Sequence, residues 1–304
     1  MPAPKVHQGQ WHDADFFTVA YVTDSGLFLP TLRSAYSALK RTSRPLKIIF
    51  AGLSLEDWMW HGVKDLQRQF PQCAITPFEL PEEWLREATS PKSFITPTAL
   101  GRMFLPRIAS GRVLYIDGDT MVTGDLSAAA GIDLRGNPLA GVRDFAVMRW
   151  RAAGKVEPLH RQAEILGGEA YLPSYINSGV LLMDCDAIRA SAGLQAQMED
   201  MVAAQGYPTV DQDRINIIFK DRITHLDPAW NCSWGRLALQ RRDNGNLATV
   251  GFSPKPLILH FHGPNKPWHR LRTSTLRKGF WSSLAYRREM KEFGRLSLDG
   301  LQRR

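Results

Sequence analysis

The sequence lacks long apolar runs and is poor in cysteine, and both absences limit what the protein can be. No run of about eighteen apolar residues occurs in its 304 residues, which excludes an ordinary membrane-spanning helix. The first eight residues are polar and lack the apolar centre of a secretion signal, so we expect a cytoplasmic protein. The three cysteines, Cys73, Cys185 and Cys232, are too far apart for a disulfide framework or a zinc site.

Negative charge is scarce at the carboxyl end. The net charge is +8, and the segment from His269 onward has ten lysines and arginines against three acids, which gives +7. We therefore divide the chain into a catalytic body, residues 1–268, and a basic helical tail, residues 269–304, with interleaved aromatic residues such as Phe280 and Trp281. This tail predicts peripheral docking on an anionic membrane at its inner face, with a solvated terminal helix as the alternative. We expect no nucleic-acid binding, because no reading module accompanies the charge.

Strand and helix patterns alternate along the first half, and an apolar content of 44% supports a full core. The apolar runs predict strands at 16–22, 46–51, 74–78, 113–117 and 257–261. Helical spacing predicts helices at 29–39, at 55–70 with Ser54 as N-cap, and at 98–109, 186–204 and 211–219. The alternation is typical of an α/β protein with a doubly wound, mostly parallel sheet.

The strand at 113–117 ends in two carboxylates, Asp117 and Asp119, with Gly118 between them. Buried strands of α/β sheets deliver ligand groups at their carboxyl ends, and alternate residues of an extended chain share a face. Two close carboxylates repel each other, and a divalent cation removes that cost. The pair therefore predicts a Mg²⁺ or Mn²⁺ site for a phosphate-bearing substrate, although acids near an ordinary turn would give the same pattern.

A second group of polar residues follows the late strand. His260 could complete a metal site begun by the two aspartates, and its nitrogen would favour Mn²⁺ over Mg²⁺. Gly263 allows the backbone to approach a phosphate closely, and Lys266 supplies a point charge suited to phosphate. The alternative for His260 is a hydrogen-bonded core histidine.

Two further polar groups precede apolar segments. Asn177 and Ser178 offer amide and hydroxyl groups before the apolar run 180–183, either for sugar hydroxyls or for their own turn. Asp211 and Gln212 open the helix predicted at 211–219, where they either face a reacting centre or match the helix dipole. Asp24, after the first strand, either binds a nucleobase or shapes its turn.

Together these motifs, in this order, resemble those of the family 8 glycosyltransferases, which include enzymes of bacterial lipopolysaccharide biosynthesis and, distantly, glycogenin. The resemblance covers about residues 17–268. It implies one A-type glycosyltransferase domain, a Rossmann-like fold with a mixed central sheet that binds a nucleotide-diphospho-sugar. It also implies transfer of a hexose, glucose or galactose favoured, from a UDP-sugar to a glycan or glycolipid acceptor, with retention at the anomeric carbon.

The resemblance also implies a role for each matching residue. Mn²⁺, with Mg²⁺ as the alternative ion, would be bound by Asp117, Asp119 and His260, and the UDP diphosphate would be held by Gly263 and Lys266. The remaining matches are Asp24 near uracil, Arg102 reaching the donor, Asn177 and Ser178 beside the sugar, Asp211 as a donor-sugar contact, and Gln212 nearest the anomeric carbon. Because Gln212 is neutral and a poor nucleophile, we expect the acceptor to attack on the face that UDP leaves.

Some features depart from the family pattern, and two other functions stay open. Ser25 and Gly26 stand where the family often has an acid or asparagine, and residues 144–172, which should include the acceptor loop, match nothing recognisable. One alternative is a haloacid-dehalogenase-type phosphatase with Asp117 as nucleophile and Asp119 as general acid. More than a hundred residues precede this strand, whereas that family usually begins with it. The other alternative is a non-catalytic nucleotide-sugar-binding protein.

Overall fold

The computed structural model describes residues 16–88, 97–270, 273–296 and 298, and these residues form ten strands and eleven α-helices. The strands are β1 (Phe17–Thr23), β2 (Leu46–Gly52), β3 (Ala74–Glu79), β4 (Arg112–Ile116), β5 (Thr120–Val122), β6 (Leu139–Arg143), β7 (Ile176–Asp184), β8 (Ile223–Leu226), β9 (Cys232–Ser233) and β10 (Ile258–His260). The helices are α1 (Phe28–Leu39), α2 (Asp57–Gln69), α3 (Leu105–Ile108), α4 (Phe145–Ala152), α5 (Val156–Leu166), α6 (Cys185–Ala190), α7 (Leu194–Glu199), α8 (Met201–Gln205), α9 (Asp211–Ile218), α10 (Leu237–Asn244) and α11 (Thr273–Phe293).

Seven strands form the main sheet in the order β3-β2-β1-β4-β7-β6-β8. Strand β7 is antiparallel to both of its neighbours, and the other neighbouring pairs are parallel. This is the mixed central sheet that the resemblance implied. Because β4 and β6 both oppose β7, the carboxyl ends of β1, β4 and β6 meet the amino end of β7 at one edge of the sheet.

Both faces of the main sheet are covered, which explains why its strands read as nearly continuous apolar runs. Leu114 and Ile116 of β4 point into a core shared with α1 and α2. Val113 and Tyr115, the alternate residues, point into a second core shared with α6, α7 and α9. This alternation follows from the two-residue period of a strand.

Most of the predicted elements lie within two residues of the observed ones, but three details were wrong. The predicted helix at 186–204 is three short helices, and Gly193, with φ +72°, interrupts it after α6. The predicted helix at 98–109 is a 3₁₀ segment, Pro97–Phe104, followed by the single turn α3, which has Pro106 in its first turn. Ser54 is not the N-cap of α2; its φ is +49°, and its hydroxyl donates to Glu82 at 2.7 Å.

A second, small sheet in the order β5-β10-β9 attaches the late strand to the main sheet. The antiparallel pairing of β10 with β5 places His260 opposite Thr120, and the parallel pairing with β9 places His260 beside Ser233. The Phe261 N–H donates to the Asp119 carbonyl at 3.0 Å. The small sheet therefore brings the chain around His260 against the residues that follow β4.

The helical part of the basic tail packs against the body of the protein. Helix α11 leaves helical geometry at Gly279 and then continues to Phe293, whose ring lies 5.4 Å from that of Tyr36 on α1. Glu289 of α11 accepts two hydrogen bonds of 2.8 Å from Arg41. Three basic residues of the tail, Arg272, Arg303 and Arg304, lie outside the described residues.

No helix among the described residues has both the length and the apolar composition needed to cross a bilayer.

We expect part of the folding stability to be lost as pH falls from 6.5 to about 4, because of His225 on β8. Burial and the nearby Arg143 lower the pKa of His225 from 6.5 to about 4. The unfolded chain therefore binds more protons than the folded one in this interval, so stability present above pH 6.5 is lost on acidification. Urea unfolding of the native protein and His225→Asn at several pH values measures this. The variant should lose less stability; an equal loss in both proteins would contradict the assignment.

Candidate active site

Polar side chains collect at the sheet edge where the strand ends meet. Asp24 follows β1, Asp117 follows β4, and Asp144 follows β6, while Asn177 is the second residue of β7. In the spatial order β1-β4-β7-β6 they succeed one another along the edge as Asp24, Asp117, Asn177 and Asp144. Ligands of α/β sheets bind at such an edge, so it is the place to look for a site.

Asp117, Asp119 and His260 converge at this edge, as the sequence predicted. One possible ligand atom from each lies within 4.8 Å of the other two. The His260 Nε2 atom is 3.2 Å from Asp119 Oδ1 and 3.8 Å from Asp117 Oδ2. The His260 side chain is 4% exposed, so the group is largely enclosed.

Each carboxylate of the pair uses one oxygen for protein partners. Asp117 Oδ1 accepts a hydrogen bond of 2.5 Å from the Tyr115 hydroxyl and lies 3.0 Å from Arg102 Nη2. Asp119 Oδ2 accepts a hydrogen bond from Lys266 Nζ. The two cations offset the repulsion between the carboxylates and fix their orientation.

The remaining atoms, Asp117 Oδ2, Asp119 Oδ1 and His260 Nε2, face one another. Two oxygens and one imidazole nitrogen suit Mn²⁺, and hard oxygen ligands also suit Mg²⁺, so the residues fit a single divalent cation. Burial alone would raise the pKa of Asp119, but Lys266 and His260 hold it well below its usual range. Asp119 is therefore ionised near neutral pH, as a metal ligand must be.

Asn231, which the sequence analysis did not single out, orients the imidazole of His260. Its Oδ1 atom lies 2.9 Å from His260 Nδ1. Because an amide oxygen only accepts hydrogen bonds, Nδ1 carries a proton, and Nε2 is the atom left to face the aspartates. The Asn231 amide nitrogen donates to Asn177 Oδ1 at 2.9 Å, which is consistent with this orientation of the amide.

Gly179 of β7 lets a strand pass directly against the three converging side chains. A β-carbon at this position would lie 2.3 Å from His260 Cε1 and 2.7 Å from Asp117 Oδ2. The Gly179 carbonyl also accepts a hydrogen bond of 2.8 Å from the Asp117 N–H. The close approach of β7 therefore requires glycine here.

The loop after β10 carries the two predicted diphosphate-binding residues. Gly263 has φ +89°, a value that side chains disfavour, and the chain turns at this point. Lys266 then returns to the site, where its Nζ donates to Asp119 and to the Phe261 carbonyl, the latter at 3.1 Å. The loop therefore places a positive charge next to the converging acids.

Arg102 is a buried cation that connects several predicted residues. Its Nη1 donates to the Ser178 carbonyl at 2.7 Å and to the Ser178 hydroxyl at 3.2 Å. Its Nε lies 3.3 Å from Asp211 Oδ2 and donates to the Ala99 carbonyl at 2.7 Å. Burial lowers the pKa of Arg102, whereas Asp117 and Asp211 together raise it by more than burial lowers it. The net shift is upward, and the guanidinium stays charged.

Asp211 is buried, and its backbone surroundings are strained. Burial raises the pKa of Asp211, although Arg102 opposes the shift. The preceding residue, Val210, has φ +49° and ψ −104°, which costs about 1–3 kcal/mol for a non-glycine residue. Among the described residues, Asp211 Oδ2 has no hydrogen-bond partner. This enclosed oxygen is held by its ion pair with Arg102.

Gln212 is held at the centre of a hydrogen-bond network. Its Oε1 accepts from Asn177 Nδ2 at 2.9 Å and from the Ser178 N–H at 3.3 Å. Its Nε2 donates to the Tyr175 hydroxyl at 3.0 Å and to Asp144 Oδ2 at 3.3 Å. Asp144 also accepts from Asn177 Nδ2 at 3.2 Å. The amide of Gln212 is therefore saturated and fixed in orientation.

The structure links most of the predicted residues through hydrogen bonds or ion pairs, and Asp24 is the main exception. Its Oδ1 accepts a hydrogen bond from the Leu27 N–H at 3.1 Å, so it shapes the turn before α1. Asp24 follows β1, the strand next to β4. The residues that sequence reasoning missed are Tyr115, Asp144, Tyr175 and Asn231. Asp144 had a usable signal, an acid directly after an apolar strand, whereas Asn231 had none.

Comparison with known proteins decides the family. The sequence model of the family described as "Glycosyl transferase family 8" matches residues 18–272, which is most of the chain. The chain belongs to glycosyltransferase family 8. Because the chain belongs to this family, the interpretation of Asp117 and Asp119 as the nucleophile and general acid of a phosphatase is rejected.

Curated relatives of this family 8 chain include bacterial glycosyltransferases. Glycosyltransferase GlyF of Streptococcus pneumoniae is 29% identical over 183 residues, 57% of this chain and 38% of GlyF. The lipopolysaccharide 1,2-glucosyltransferase of Escherichia coli is 28% identical over 165 residues, 52% of this chain and 44% of that protein. The matches thus span less than half the length of these two relatives.

Solved structures agree with the A-type glycosyltransferase fold expected for family 8. A structure of the galactosyltransferase LgtC with donor and acceptor sugar analogues superimposes with a TM-score of 0.72 at 19% identity, covering 91% of this chain and 96% of LgtC. GlyE of Streptococcus pneumoniae gives a TM-score of 0.60 at 22% identity, covering 93% of this chain and 64% of GlyE. At these identities the likeness establishes the fold.

We expect Gly179→Ala to weaken Mn²⁺ binding by about 10–100-fold, because the new methyl group would displace His260 or Asp117. Gly131→Ala is the matched control, since a β-carbon there meets nothing within 4 Å. Electron paramagnetic resonance of free Mn²⁺ measures the affinity, and circular dichroism checks folding. A folded Gly179→Ala protein with native affinity would show that the three side chains do not form the metal site.

Proposed function

We propose that the protein transfers a hexose, glucose or galactose favoured, from a UDP-sugar to a glycan or glycolipid acceptor. The observation that carries this proposal is the meeting of Asp117 Oδ2, Asp119 Oδ1 and His260 Nε2 at the ligand-binding edge of the sheet. Family membership supports sugar transfer. The names of two similar proteins, a lipopolysaccharide glucosyltransferase and a galactosyltransferase, support a hexose donor and a role in lipopolysaccharide biosynthesis.

The donor diphosphate belongs, in this proposal, beside the three metal-ligating side chains. A bound Mn²⁺ or Mg²⁺ would supply positive charge where negative charge develops on the departing UDP, the electrostatic effect that often dominates such catalysis. Lys266 adds a second positive charge, and Gly263 lets the backbone approach a phosphate closely. Asp24, at the end of β1, is assigned to the nucleoside.

The donor sugar belongs, in the same proposal, next to β7 and the start of α9. Asp211 would contact a sugar hydroxyl, and Arg102 holds its carboxylate in place. Asn177 and Ser178 lie on the adjoining strand and share hydrogen bonds with Gln212. These residues would orient the sugar and meet the positive charge that develops at its anomeric carbon.

Transfer with retention is part of this proposal because the family resemblance implies it, and the chemistry of Gln212 bears on the route. Its amide is neutral and saturated by four hydrogen bonds, so it is a poor covalent nucleophile. We propose that the acceptor hydroxyl attacks on the face from which UDP departs. The bond from the anomeric carbon to the diphosphate breaks, the bond to the acceptor oxygen forms, and the acceptor proton passes to a diphosphate oxygen.

We expect the protein to hydrolyse UDP-glucose or UDP-galactose slowly without an acceptor, and only when Mn²⁺ or Mg²⁺ is present. Asp119→Asn should lower this rate at least about a hundredfold, because the charge facing His260 Nε2 is lost. Asp133→Asn is the control, since this aspartate is exposed and caps a turn elsewhere. Chromatography of released UDP gives the rate, and proton NMR of the transferred sugar gives its anomeric configuration.

Hydrolysis that persists after metal removal, or near-native turnover in a folded Asp119→Asn protein, would refute the metal-dependent mechanism. Calorimetric binding of a UDP-sugar with neither hydrolysis nor transfer would favour the remaining alternative, a non-catalytic nucleotide-sugar-binding protein.

We propose further that α11 docks the protein on an anionic membrane surface. Its apolar side chains Phe280, Trp281 and Leu284 are 49%, 77% and 51% exposed, and the basic residues Arg277 and Arg288 are exposed on the same helix. Its other face is occupied, since Tyr286 and Phe293 are buried against the body. An exposed apolar strip bordered by arginines suits the interface of an anionic bilayer.

We expect the protein to sediment with vesicles that contain phosphatidylglycerol and not with purely zwitterionic vesicles. Trp281→Ser should weaken this binding several-fold, because the side chain contributes apolar area to the interface. Phe252→Ser is the matched control, since Phe252 is 72% exposed but lies outside α11. Equal sedimentation of both variants, or equal binding to both kinds of vesicle, would contradict docking through α11.

A further inference from the structure

Arg236, which precedes α10, is a half-buried arginine without an acidic partner. Among the described residues, no carboxylate lies within ion-pair distance of its guanidinium. Its Nε and Nη2 donate to the Ser233 carbonyl at 3.4 Å and to the Ser233 hydroxyl at 3.1 Å, while Nη1 makes no hydrogen bond. Burial lowers the pKa of Arg236, Cys232 opposes this shift, and the cation Arg149 adds to it. The charge is therefore partly desolvated without a carboxylate to pair with it.

Several other partly buried arginines of the protein have carboxylate or carbonyl partners. Arg102 has two carboxylates, Arg41 has Glu289, and Arg241 has Asp227 at 2.6 Å. Arg143 lacks a carboxylate but donates to the carbonyls of Pro173 and Ala248. Arg236 differs from the first three in having no carboxylate partner, and from Arg143 in that both of its hydrogen bonds go to one residue, Ser233.

The guanidinium of Arg236 is held in a defined position by its neighbours. Its central carbon lies 4.3 Å from the centre of the Phe145 ring, and the Ser233 hydroxyl that it contacts lies 2.6 Å from His262 Nε2. Stacking on an aromatic ring leaves the edge of a guanidinium free to bind an anion through parallel hydrogen bonds.

The position of Arg236 is on the side of the site away from the nucleoside. Phe145 directly follows Asp144, which accepts hydrogen bonds from Asn177 and Gln212. The strands lie in the order β1-β4-β7-β6. The residue assigned to the nucleoside follows β1, the metal-ligating acids follow β4, and residues assigned to the sugar lie at the start of β7. The next strand, β6, leads into Phe145, whose ring Arg236 contacts, and this is the side left for an acceptor in the proposed arrangement.

We propose that Arg236 binds an anionic group, a phosphate or a carboxylate, on the acceptor, so that the acceptor is a phosphorylated or acidic glycan. This inference rests on the proposed sugar transfer and adds the chemical class of its acceptor. The free amino group of Arg236 donates to the anion.

Acceptor preference and acceptor-free hydrolysis together test the proposal. The native protein with its preferred UDP-sugar is offered a neutral hexose, the corresponding hexose 6-phosphate and the corresponding hexuronic acid. We expect at least one anionic acceptor to be used about tenfold or more faster than the neutral hexose, and this preference to disappear in Arg236→Gln. Hydrolysis of the UDP-sugar without acceptor should stay unchanged in that variant.

Arg242→Gln is the matched control, because it also removes one positive charge. Arg242 lies on α10, where it is exposed and paired with Asp243. Arg236→Lys should keep a reduced preference, since the charge remains and the planar donor group is lost. Preference for the neutral hexose in the native protein, or an unchanged anionic preference in Arg236→Gln, would overturn the inference.

Calorimetry separates this inference from the proposed function. With UDP and Mg²⁺ saturating the donor site, hexose 6-phosphate or hexuronate should bind the native protein and Arg242→Gln, and should bind Arg236→Gln about tenfold or more weakly. Equal binding of neutral and anionic sugars by the native protein would refute the anion site. If the native protein did not hydrolyse any UDP-sugar, the proposed transfer would be refuted. The binding of anionic sugars through Arg236 would still be tested by the calorimetry.

Discussion

The site depends on the neutralisation of two carboxylates that the fold forces together. Asp117 and Asp119 follow one strand with a single glycine between them, and their close approach is unfavourable without nearby positive charge. Arg102 takes one oxygen of the first, Lys266 takes one oxygen of the second, and His260 faces the two that remain. Arg102 comes from the segment before β4, and His260 and Lys266 come from β10 and the loop after it, so the acid pair is stable in this form only when the whole domain is folded.

The same requirement shapes the elements around the acid pair. Strand β7 can approach only because Gly179 has no side chain, and His260 presents Nε2 only because Asn231 occupies its other nitrogen. Asn231 also donates to Asn177, which donates to Gln212. A continuous hydrogen-bonded path therefore joins the candidate metal ligands to the residues assigned to the sugar. Such a path holds reacting groups in fixed orientation, which is what transfer between two bound substrates requires.

Charge is distributed unevenly around this edge of the sheet. At the candidate metal site, the cations Arg102 and Lys266 are matched by acids, so their charge is largely used within the protein. Next to β6, Arg236 has no such match. The basic tail adds a third positive region, through α11, which is anchored to α1 by Arg41 and Glu289. The described residues thus carry three separate positive regions.

The sequence by itself determined β1, β2, β3, β4 and β10, since short, nearly continuous apolar runs identify buried strands. It determined the acids at the end of β4, because short spacing along one strand fixes their neighbourhood. It also indicated His260 and Lys266 through their order in a family pattern. Only the tertiary structure decided that β7 runs against its neighbours, that Asn231 orients His260, and that Arg236 has no acidic partner. Sheet direction and side-chain pairing depend on contacts between residues far apart in the chain, and no local pattern encodes such contacts.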